Sequence, residues 1–201
     1  MDFNKETLIG LIKEFADLEG IELSDIPNID LYMDQVTTFF DDKLENWKLE
    51  DDDKILTKTM INNYAKADIL FPPIKKKYSK EHMVLLIIIY HLKQILSLND
   101  IHTVLSPIIQ KKIQKDFDSN NLFDLYEQFL LIQNNEFKSF EEDFSKTVNE
   151  LFDKSDIDDG KNYTLLLIIT INLVISSNIR KVFAEKLIRK FPEIFNKKTD
   201  A

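Results

Sequence analysis

The sequence predicts an all-α protein, and three observations lead to that class. The chain of 201 residues contains only 3 glycines and 5 prolines, too few for the many tight turns of an all-β fold. Leu, Ile, Lys, Glu and Asp dominate the composition, and apolar residues recur at helical spacing. Apolar residues make up 44% of the chain, so a packed core is expected rather than a disordered chain.

The N-terminal quarter of the chain is expected to form two helices and a loop. Apolar residues at roughly helical spacing predict an amphipathic helix within residues 1–24, which Gly20 ends. A second helix follows Pro27 and runs to about Leu44. The aspartate-rich segment 48–54 is interpreted as a solvated loop rather than a metal site.

Two further helices are predicted after the loop. Thr57 is placed to cap a short helix over 58–67, and Ser79 is placed to cap a long helix over 80–96. The long helix is apolar on almost every side, so it must be buried against several neighbours. Pro107 is expected to stop the short helix that follows, because proline cannot continue the hydrogen-bond ladder.

The second half of the chain is predicted to form a helical bundle. Its last helix is apolar on every face between residues 165 and 175. One face can pack on the bundle while another meets a second copy, so we expect a homodimer through the C-terminal helices. The predicted helices are one ending near Asp118 and those over 121–134, 137–154 and 162–190, with a turn at 155–160.

The charge of the chain is distributed unevenly. The chain as a whole carries a net charge of -9, and residues 1–53 hold 16 acids and 4 bases. Residues 54–82, which we call the basic segment, instead hold seven lysines and two acids. An acidic protein that concentrates its positive charge in one segment is expected to use that segment to contact an anionic partner.

The short helix of the basic segment has two distinct faces when its residues are placed at about 100° intervals. The polar face consists of Thr59, Asn62, Asn63 and Lys66, and the apolar face consists of Met60, Ile61 and Tyr64. Asparagine pairs bidentately with adenine in the major groove, and a threonine methyl group touches thymine. The polar face is therefore a candidate for reading DNA bases.

Lysines around this helix are candidates for phosphate contacts. Two of them, Lys58 and Lys66, lie near the ends of the helix. Beyond the Pro-Pro pair, which holds the connection extended, further lysines continue the positive strip. These are Lys75, Lys76, Lys77 and Lys80. A simply solvated lysine face is the alternative interpretation.

The segment "TMINNYAKADILFPPIKKKYSKEHMVLLIIIYHLKQILSLNDIHTVL" resembles the DNA-binding head of MerR-type transcription regulators. The matching positions are Tyr64, Ile69, Leu70, Pro72, Pro73, Tyr78, Ser79, Ser97, Leu98 and Ile101. The phrases "IPNIDLYMDQV" and "LTKTMINNY" narrow the resemblance to the bacterial family catalogued as domain of unknown function 1836, over roughly residues 24–105. The resemblance implies a helix-turn-helix head with a wing. Four residues between Pro73 and Tyr78 leave hardly enough space for a β-hairpin wing.

From the residues and the resemblance we expect two domains. Residues 1–105 would form a helix-turn-helix domain that binds double-stranded DNA, and residues 106–201 would form a helical bundle for dimerisation or effector binding. The expected function is transcription regulation. The alternative is a helical protein-interaction module that binds no DNA.

Other classes of function find little support in the sequence. Cysteine is absent and the three histidines lie nine and eleven residues apart, which fits no metal-ligand pattern. The nucleotide-binding and nucleophile motifs of common enzymes are also absent, so we expect neither an enzyme nor a cofactor. The apolar runs are shorter than the roughly 20 residues of a membrane span, and the N-terminal acids do not suit a signal peptide. We therefore expect a cytoplasmic protein with no membrane contact.

Overall fold

The computed structural model is all-α, as the composition predicts, and describes residues 4–196 apart from 17, 19, 49, 51, 115 and 155–160. Its helices and strands are α1 (Lys5–Ala16), β1 (Leu31–Tyr32), α2 (Met33–Lys43), a 3₁₀ turn (Glu45–Trp47), α3 (Lys58–Lys66), β2 (Lys77–Tyr78), α4 (Lys80–Lys93), α5 (Leu98–Ile113), α6 (Ser119–Lys154), α7 (Lys161–Ile188) and α8 (Phe191–Asn196). The two strands pair antiparallel, with Leu31 opposite Tyr78 and Tyr32 opposite Lys77.

The chain divides into two compact units. The three-helix unit comprises the described residues of Met1–Gly20 and Leu130–Arg180. The head unit comprises those of Ile21–Phe129 and Lys181–Ala201. This division differs from the domain boundary expected between residues 105 and 106, which stays a prediction. The physical reason is that α5 and the start of α6 still supply buried residues to the head unit.

The core of the head unit is organised around α4. Every residue from His82 to Tyr90 is buried, as its apolar composition on all sides predicts. Other elements of the head unit complete this core. Their buried side chains include Val36, Phe40, Ile61, Tyr64, Ile101, Leu105, Ile109, Leu122 and Tyr126.

Two long-range hydrogen bonds connect α6 to earlier parts of the head unit. The Tyr126 hydroxyl donates to the carbonyl oxygen of Ile21, and burial raises the pKa of this phenol. The Ser119 hydroxyl donates to the Glu81 carboxylate at 2.6 Å. Burial alone would raise the pKa of Glu81, but the hydrogen bonds from Ser119 and Ser79 outweigh it, so the pKa is lowered. Glu81 is therefore an ionised acceptor between the starts of α4 and α6.

Pro107 lies inside α5, so the expectation that it stops a helix is wrong. A proline at this position cannot donate a backbone hydrogen bond to the carbonyl of Thr103. The Ser106 hydroxyl donates to that carbonyl instead, at 3.2 Å. Ile109 beyond the proline is buried, so packing favours a continuous helix despite the lost backbone bond.

The expected break between residues 134 and 137 is also wrong, because α6 continues through it. The polar residues Asn134, Asn135 and Glu136 are exposed on the helix, and neither glycine nor proline interrupts the segment. Glu136 accepts a hydrogen bond from Arg180 of α7 at 2.8 Å. The predicted turn at 155–160 lies outside the described residues.

The three-helix unit is formed by α1, the C-terminal part of α6 and most of α7. Its buried core consists of Leu8, Val148, Phe152, Leu165 and Ile169. The helix α1 ends at Ala16, four residues before the glycine expected to end it. Gly20 has a different role, since a Cβ atom there would lie 2.6 Å from the Gln133 side chain. The side chains of Gln133 and Leu130 would therefore have to move to admit a larger residue at this position.

A long part of the last two helices is apolar and poorly covered. Among the described residues, Tyr163–Ile194 is the stretch that is long and apolar enough to cross a membrane by length and composition. Only 11% of its most apolar window is buried. The run 165–175 considered in the sequence is only part of this stretch. A core helix of a soluble protein passes the same test of length and composition, so the cytoplasmic localisation stays a prediction.

His91 of α4 is expected to make the stability of the protein depend on pH. Its ring lies among those of Trp47, Tyr90 and Phe129, with centroids 5.2 to 5.3 Å away, and burial lowers its pKa to about 4. Between pH 6.5 and 4 the unfolded chain binds the proton more readily than the folded chain. The stability contributed by neutral His91 is therefore present above pH 6.5 and is lost as the pH falls toward 4, by about 2–3 kcal/mol.

We expect His91→Phe to remove this component, because phenylalanine keeps the aromatic packing but does not titrate. Urea unfolding of both proteins at pH 7, 5.5 and 4.5 would measure it. The difference in unfolding free energy between variant and native protein should shift in favour of the variant as the pH falls. A constant difference would contradict the assignment.

Candidate nucleic-acid interface

The helix α3 begins and ends with well-formed caps. The Thr57 hydroxyl accepts a hydrogen bond from the Met60 backbone N–H at 3.1 Å, which confirms the predicted N-cap. At the other end, the Ile69 N–H bonds the Tyr64 carbonyl at 3.1 Å and Asp68 has φ of 54°. This is the Schellman arrangement, with an aspartate at the left-handed position where glycine is usual. The caps therefore define α3 sharply.

The two faces of α3 lie as the sequence predicts. Ile61 is 0% exposed and Tyr64 is 3% exposed, so this face anchors the helix. Burial raises the pKa of the Tyr64 phenol to about 12. All members of the polar face, Thr59, Asn62, Asn63 and Lys66, are exposed. The exposed polar face is available to a partner, and its role in reading bases stays a prediction.

A buried histidine holds the segment after α3 against α4. The Ser79 backbone N–H donates to Nδ1 of His82 at 3.0 Å, so Nε2 carries the proton and faces the Pro72 carbonyl oxygen at 3.4 Å. Burial lowers the pKa of His82, and the rings of Phe71 and Tyr78 pack edge-on against it. Sequence reasoning missed this role, although a histidine three residues after an N-cap serine was a visible signal.

A minimal β-hairpin, a two-residue turn closed by the single bridge between Ile74 and Lys77, forms directly after the Pro-Pro pair, so the four residues hold a tight turn but not a two-stranded wing. Ile74 and Lys77 exchange both backbone hydrogen bonds, at 3.1 and 2.9 Å. The two residues between them, Lys75 and Lys76, have φ of 51° and 65°. Positive φ at both central positions is the pattern of a two-residue type I′ turn. The turn was missed because such positions normally hold asparagine and glycine, not lysine.

The hairpin and the start of α3 lie near one another through β1 and α2. The Lys58 ammonium forms an ion pair with Asp34 near the start of α2. Two residues earlier, Tyr32 pairs with Lys77 in the sheet. The Lys77 ammonium lies 5.1 Å from the centroid of the Tyr32 ring. Lys58 and Lys77 thus contact residues of β1 and α2 that lie two positions apart. The spacing of residues in the sequence did not predict that these two lysines share this part of the fold.

The predicted phosphate-binding lysines differ in their exposure. Lys58, Lys66, Lys75 and Lys76 are exposed, whereas Lys77 and Lys80 are half-buried. The Lys80 ammonium lies over the Phe123 ring of α6, 5.8 Å from its centroid. Lys80 is therefore held against α6, and the most accessible positive charges are those of α3 and the hairpin tip.

Two acids of the 41–53 segment, Asp41 and Asp53, have partners within that segment or next to it. Asp41 lies 3.9 Å from the Lys48 ammonium and 3.8 Å from that of Lys54. Asp53 accepts a hydrogen bond from the Glu50 N–H at 3.2 Å. As far as the structure describes this segment, none of its acids forms an ion pair with a lysine of α3 or of the hairpin. The described residues also contain no group of three or more His, Cys, Asp or Glu that could hold a metal ion.

These features define an all-α protein whose head unit presents an exposed polar helix and a lysine-tipped hairpin. The model of the family described as Domain of unknown function (DUF1836) matches residues 21–129. The match covers more than half of the chain, so the chain belongs to this family. No curated protein and no solved structure matches the sequence significantly.

The family match has the same bounds as the main segment of the head unit, Ile21–Phe129. The resemblance to domain of unknown function 1836 is confirmed, and the match extends beyond the expected range of 24–105. Residues 106–129 were missed because their contribution is tertiary. They supply Ile109, Leu122 and Tyr126 to the core around α4.

We expect Ile61→Ala to destabilise the protein by about 2–5 kcal/mol, because it opens a cavity at a fully buried site. The matched variant Asn62→Ala, one residue along α3 on the exposed face, should change stability by no more than about 0.5 kcal/mol. Chemical denaturation of the two variants measures both values. Equal losses would mean that α3 is rotated from the orientation described above.

Proposed function

We propose that this protein is a DNA-binding transcriptional regulator whose head unit contacts double-stranded DNA in the manner of MerR-type helix-turn-helix proteins. In this proposal Thr59, Asn62 and Asn63 of α3 contact base edges in the major groove. The exposed lysines of α3 and of the hairpin contact phosphates. Affinity would come from the lysines and sequence preference from the polar face of α3.

The observation that carries the proposal is the pair of lysines at the hairpin tip. A non-glycine residue with positive φ is disfavoured by roughly 1 kcal/mol or more, and both Lys75 and Lys76 adopt such values. Asparagine and glycine would form the same turn with less strain. Backbone strain of this kind is typical of functional positions. Two adjacent exposed ammonium groups at a defined tip suit a phosphate backbone.

The charge around the polar face of α3 supports the same proposal. Lys66 is exposed on that face, and two acids of the 41–53 segment have partners elsewhere: Asp41 pairs with Lys48 and Lys54, and Asp53 accepts from the Glu50 N–H. DNA carries one negative charge about every 1.7 Å along its axis. A chain of net charge -9 would be repelled by DNA in most orientations, so the basic segment would select the docking orientation.

The alternative is a protein-interaction module that retains the same head unit but binds no DNA. One observation favours it: Asp34 pairs with Lys58 and so neutralises one of the lysines assigned to phosphate contact. Selection of duplexes from a pool of genomic fragments at low salt decides between the two. Retention of particular fragments supports DNA binding. Failure to retain any duplex contradicts DNA binding and supports the protein-interaction module.

The double variant Lys75→Asn with Lys76→Gly separates charge from folding. It places the preferred residues of a type I′ turn at the hairpin tip, so stability should rise by about 1 kcal/mol. Binding to every duplex should nevertheless weaken, and the slope of log K against log salt should flatten by up to about 1.8, since each phosphate contact contributes about 0.9. Fluorescence anisotropy at several salt concentrations measures both changes.

The matched control is Lys111→Gln with Lys138→Gln, which removes two exposed charges from α5 and α6. This control should keep the salt slope of the native protein. If the control and the hairpin variant flatten the slope equally, the lysines act only through net charge, and the assignment of the hairpin tip to phosphate contact is wrong.

Asn62→Ala should act on sequence preference instead. Loss of a bidentate contact to adenine should reduce the preference for the selected duplex over unrelated DNA by about 1–3 kcal/mol. The salt slope should stay close to that of the native protein, because no charge is removed. Titration of both duplexes with the variant provides the measurement, and an unchanged preference would remove Asn62 from the base-reading set.

A further inference from the structure

A small pocket lies between α5 and α6 in the head unit, and we call it the α5–α6 pocket. Its volume is about 160 Å³, and a cavity of roughly 150 Å³ is large enough to bind benzene. Its apolar lining consists of Ile108, Phe117, Leu122 and Leu125. A pocket of this size and lining suits one branched aliphatic or aromatic side chain.

The apolar lining is held in place by residues outside the pocket. The Phe117 ring packs edge-on against the ring of Phe71, with centroids 5.4 Å apart. The Lys112 ammonium lies 4.6 Å from the Phe117 centroid, and Leu122 is buried. A ligand therefore meets a surface that is already formed, and little free energy is lost in ordering it.

Two opposite charges line the same pocket without pairing. Lys111 near the end of α5 and Asp118 just before α6 both line it. The connection between them is closed by a hydrogen bond from the Asp116 N–H to the Lys111 carbonyl, at 3.0 Å. Neither Lys111 nor Asp118 forms an ion pair with the other or with any further residue that the structure describes. Both side chains are exposed, so both charges are accessible to a ligand.

A zwitterion pairs with both charges at once. The carboxylate of an α-amino acid can accept hydrogen bonds from the Lys111 ammonium and from the amide of Asn121, which also lines the pocket. Asn121 lies in the first turn of α6, where the helix dipole favours a negative charge. The α-ammonium group can donate to Asp118. A ligand with a single charge would instead face one like charge, since an anion meets Asp118 and a cation meets Lys111.

We propose that the α5–α6 pocket binds an α-amino acid with a branched aliphatic or aromatic side chain. The side chain occupies the apolar lining, the carboxylate contacts Lys111 and Asn121, and the ammonium group contacts Asp118. The whole pocket lies within residues 21–129, which the family model matches. None of its lining residues belongs to α3 or to the hairpin, so the site is separate from the proposed contact with DNA.

Isothermal titration calorimetry of the full chain without DNA tests the ligand class. L-Leucine and L-phenylalanine are the probes. Hydrocinnamate and isocaproate lack the ammonium group, and phenethylamine and isoamylamine lack the carboxylate. At least one of the two amino acids should bind with a Kd of about 1 mM or tighter, and its two analogues should bind at least about tenfold more weakly. Binding of neither amino acid would overturn the proposal, and so would equal binding of an analogue.

Asp118→Asn tests the contact with the ammonium group. The Asp118 carboxylate accepts a hydrogen bond from the Asn120 N–H at 2.9 Å, and an asparagine side chain can accept the same bond, so the start of α6 should be retained. The affinity for the amino acid that binds should fall at least about tenfold. The affinity for its analogue without the ammonium group should not fall. An unchanged affinity for the amino acid would contradict the assignment.

Leu125→Trp tests the location of the site, because a larger side chain there fills the pocket. Ile113→Trp is the matched control, since Ile113 is an exposed residue of α5 that does not line the pocket. Circular dichroism should show both variants folded, because both positions are exposed in the native chain. The amino acid should raise the melting temperature of the native chain and of Ile113→Trp but not that of Leu125→Trp. Equal increases in all three proteins would place the ligand elsewhere and overturn the proposal.

Discussion

The burial of α4 from His82 to Tyr90 is the constraint on which the rest of the head unit depends. A helix whose residues from His82 to Tyr90 are all removed from water must be covered on every side, since each exposed aliphatic side chain would forgo about 1.5–3 kcal/mol of burial. The surrounding elements supply this cover. Their polar faces are consequently turned outward, and the exposed face of α3 is one result. The candidate interface is thus a consequence of what α4 requires from its neighbours.

The connection between α3 and α4 is fixed by buried side chains and by hydrogen bonds of His82. Ile69, Leu70 and Phe71 are buried, and His82 joins the Pro72 carbonyl to the start of α4 by two ring nitrogens. The neutral ring suits this position because burial lowers its pKa. With both sides anchored, the chain between Pro73 and Tyr78 has only one short path. The hairpin tip is therefore presented from a base that is fixed on both sides.

The two units differ in how completely they bury their apolar residues. The head unit encloses α4 from His82 to Tyr90, whereas most of the described side chains of α7 are exposed. Large exposed apolar patches are uncommon on single chains in water and mark sites that contact a protein or a membrane. The family match ends at residue 129, so the core that encloses α4 belongs to the family domain. The exposed apolar residues of α7 lie beyond the matched residues.

Local patterns in the sequence determined the all-α class, the caps at Thr57 and Ser79, the burial of α4 and the two faces of α3, because these depend on side-chain spacing within one helix. Tertiary structure decided two other features. Packing of Ile109 carried α5 through Pro107, and α6 continued through the polar residues 134–136 to the part where Val148 and Phe152 are buried. In each case the local conformation is unfavourable, and contacts between distant residues oppose that cost. The distant contacts prevailed because the free energy gained from burying apolar surface and pairing backbone groups exceeds the local cost. Such contacts have no signature in the spacing of neighbouring residues.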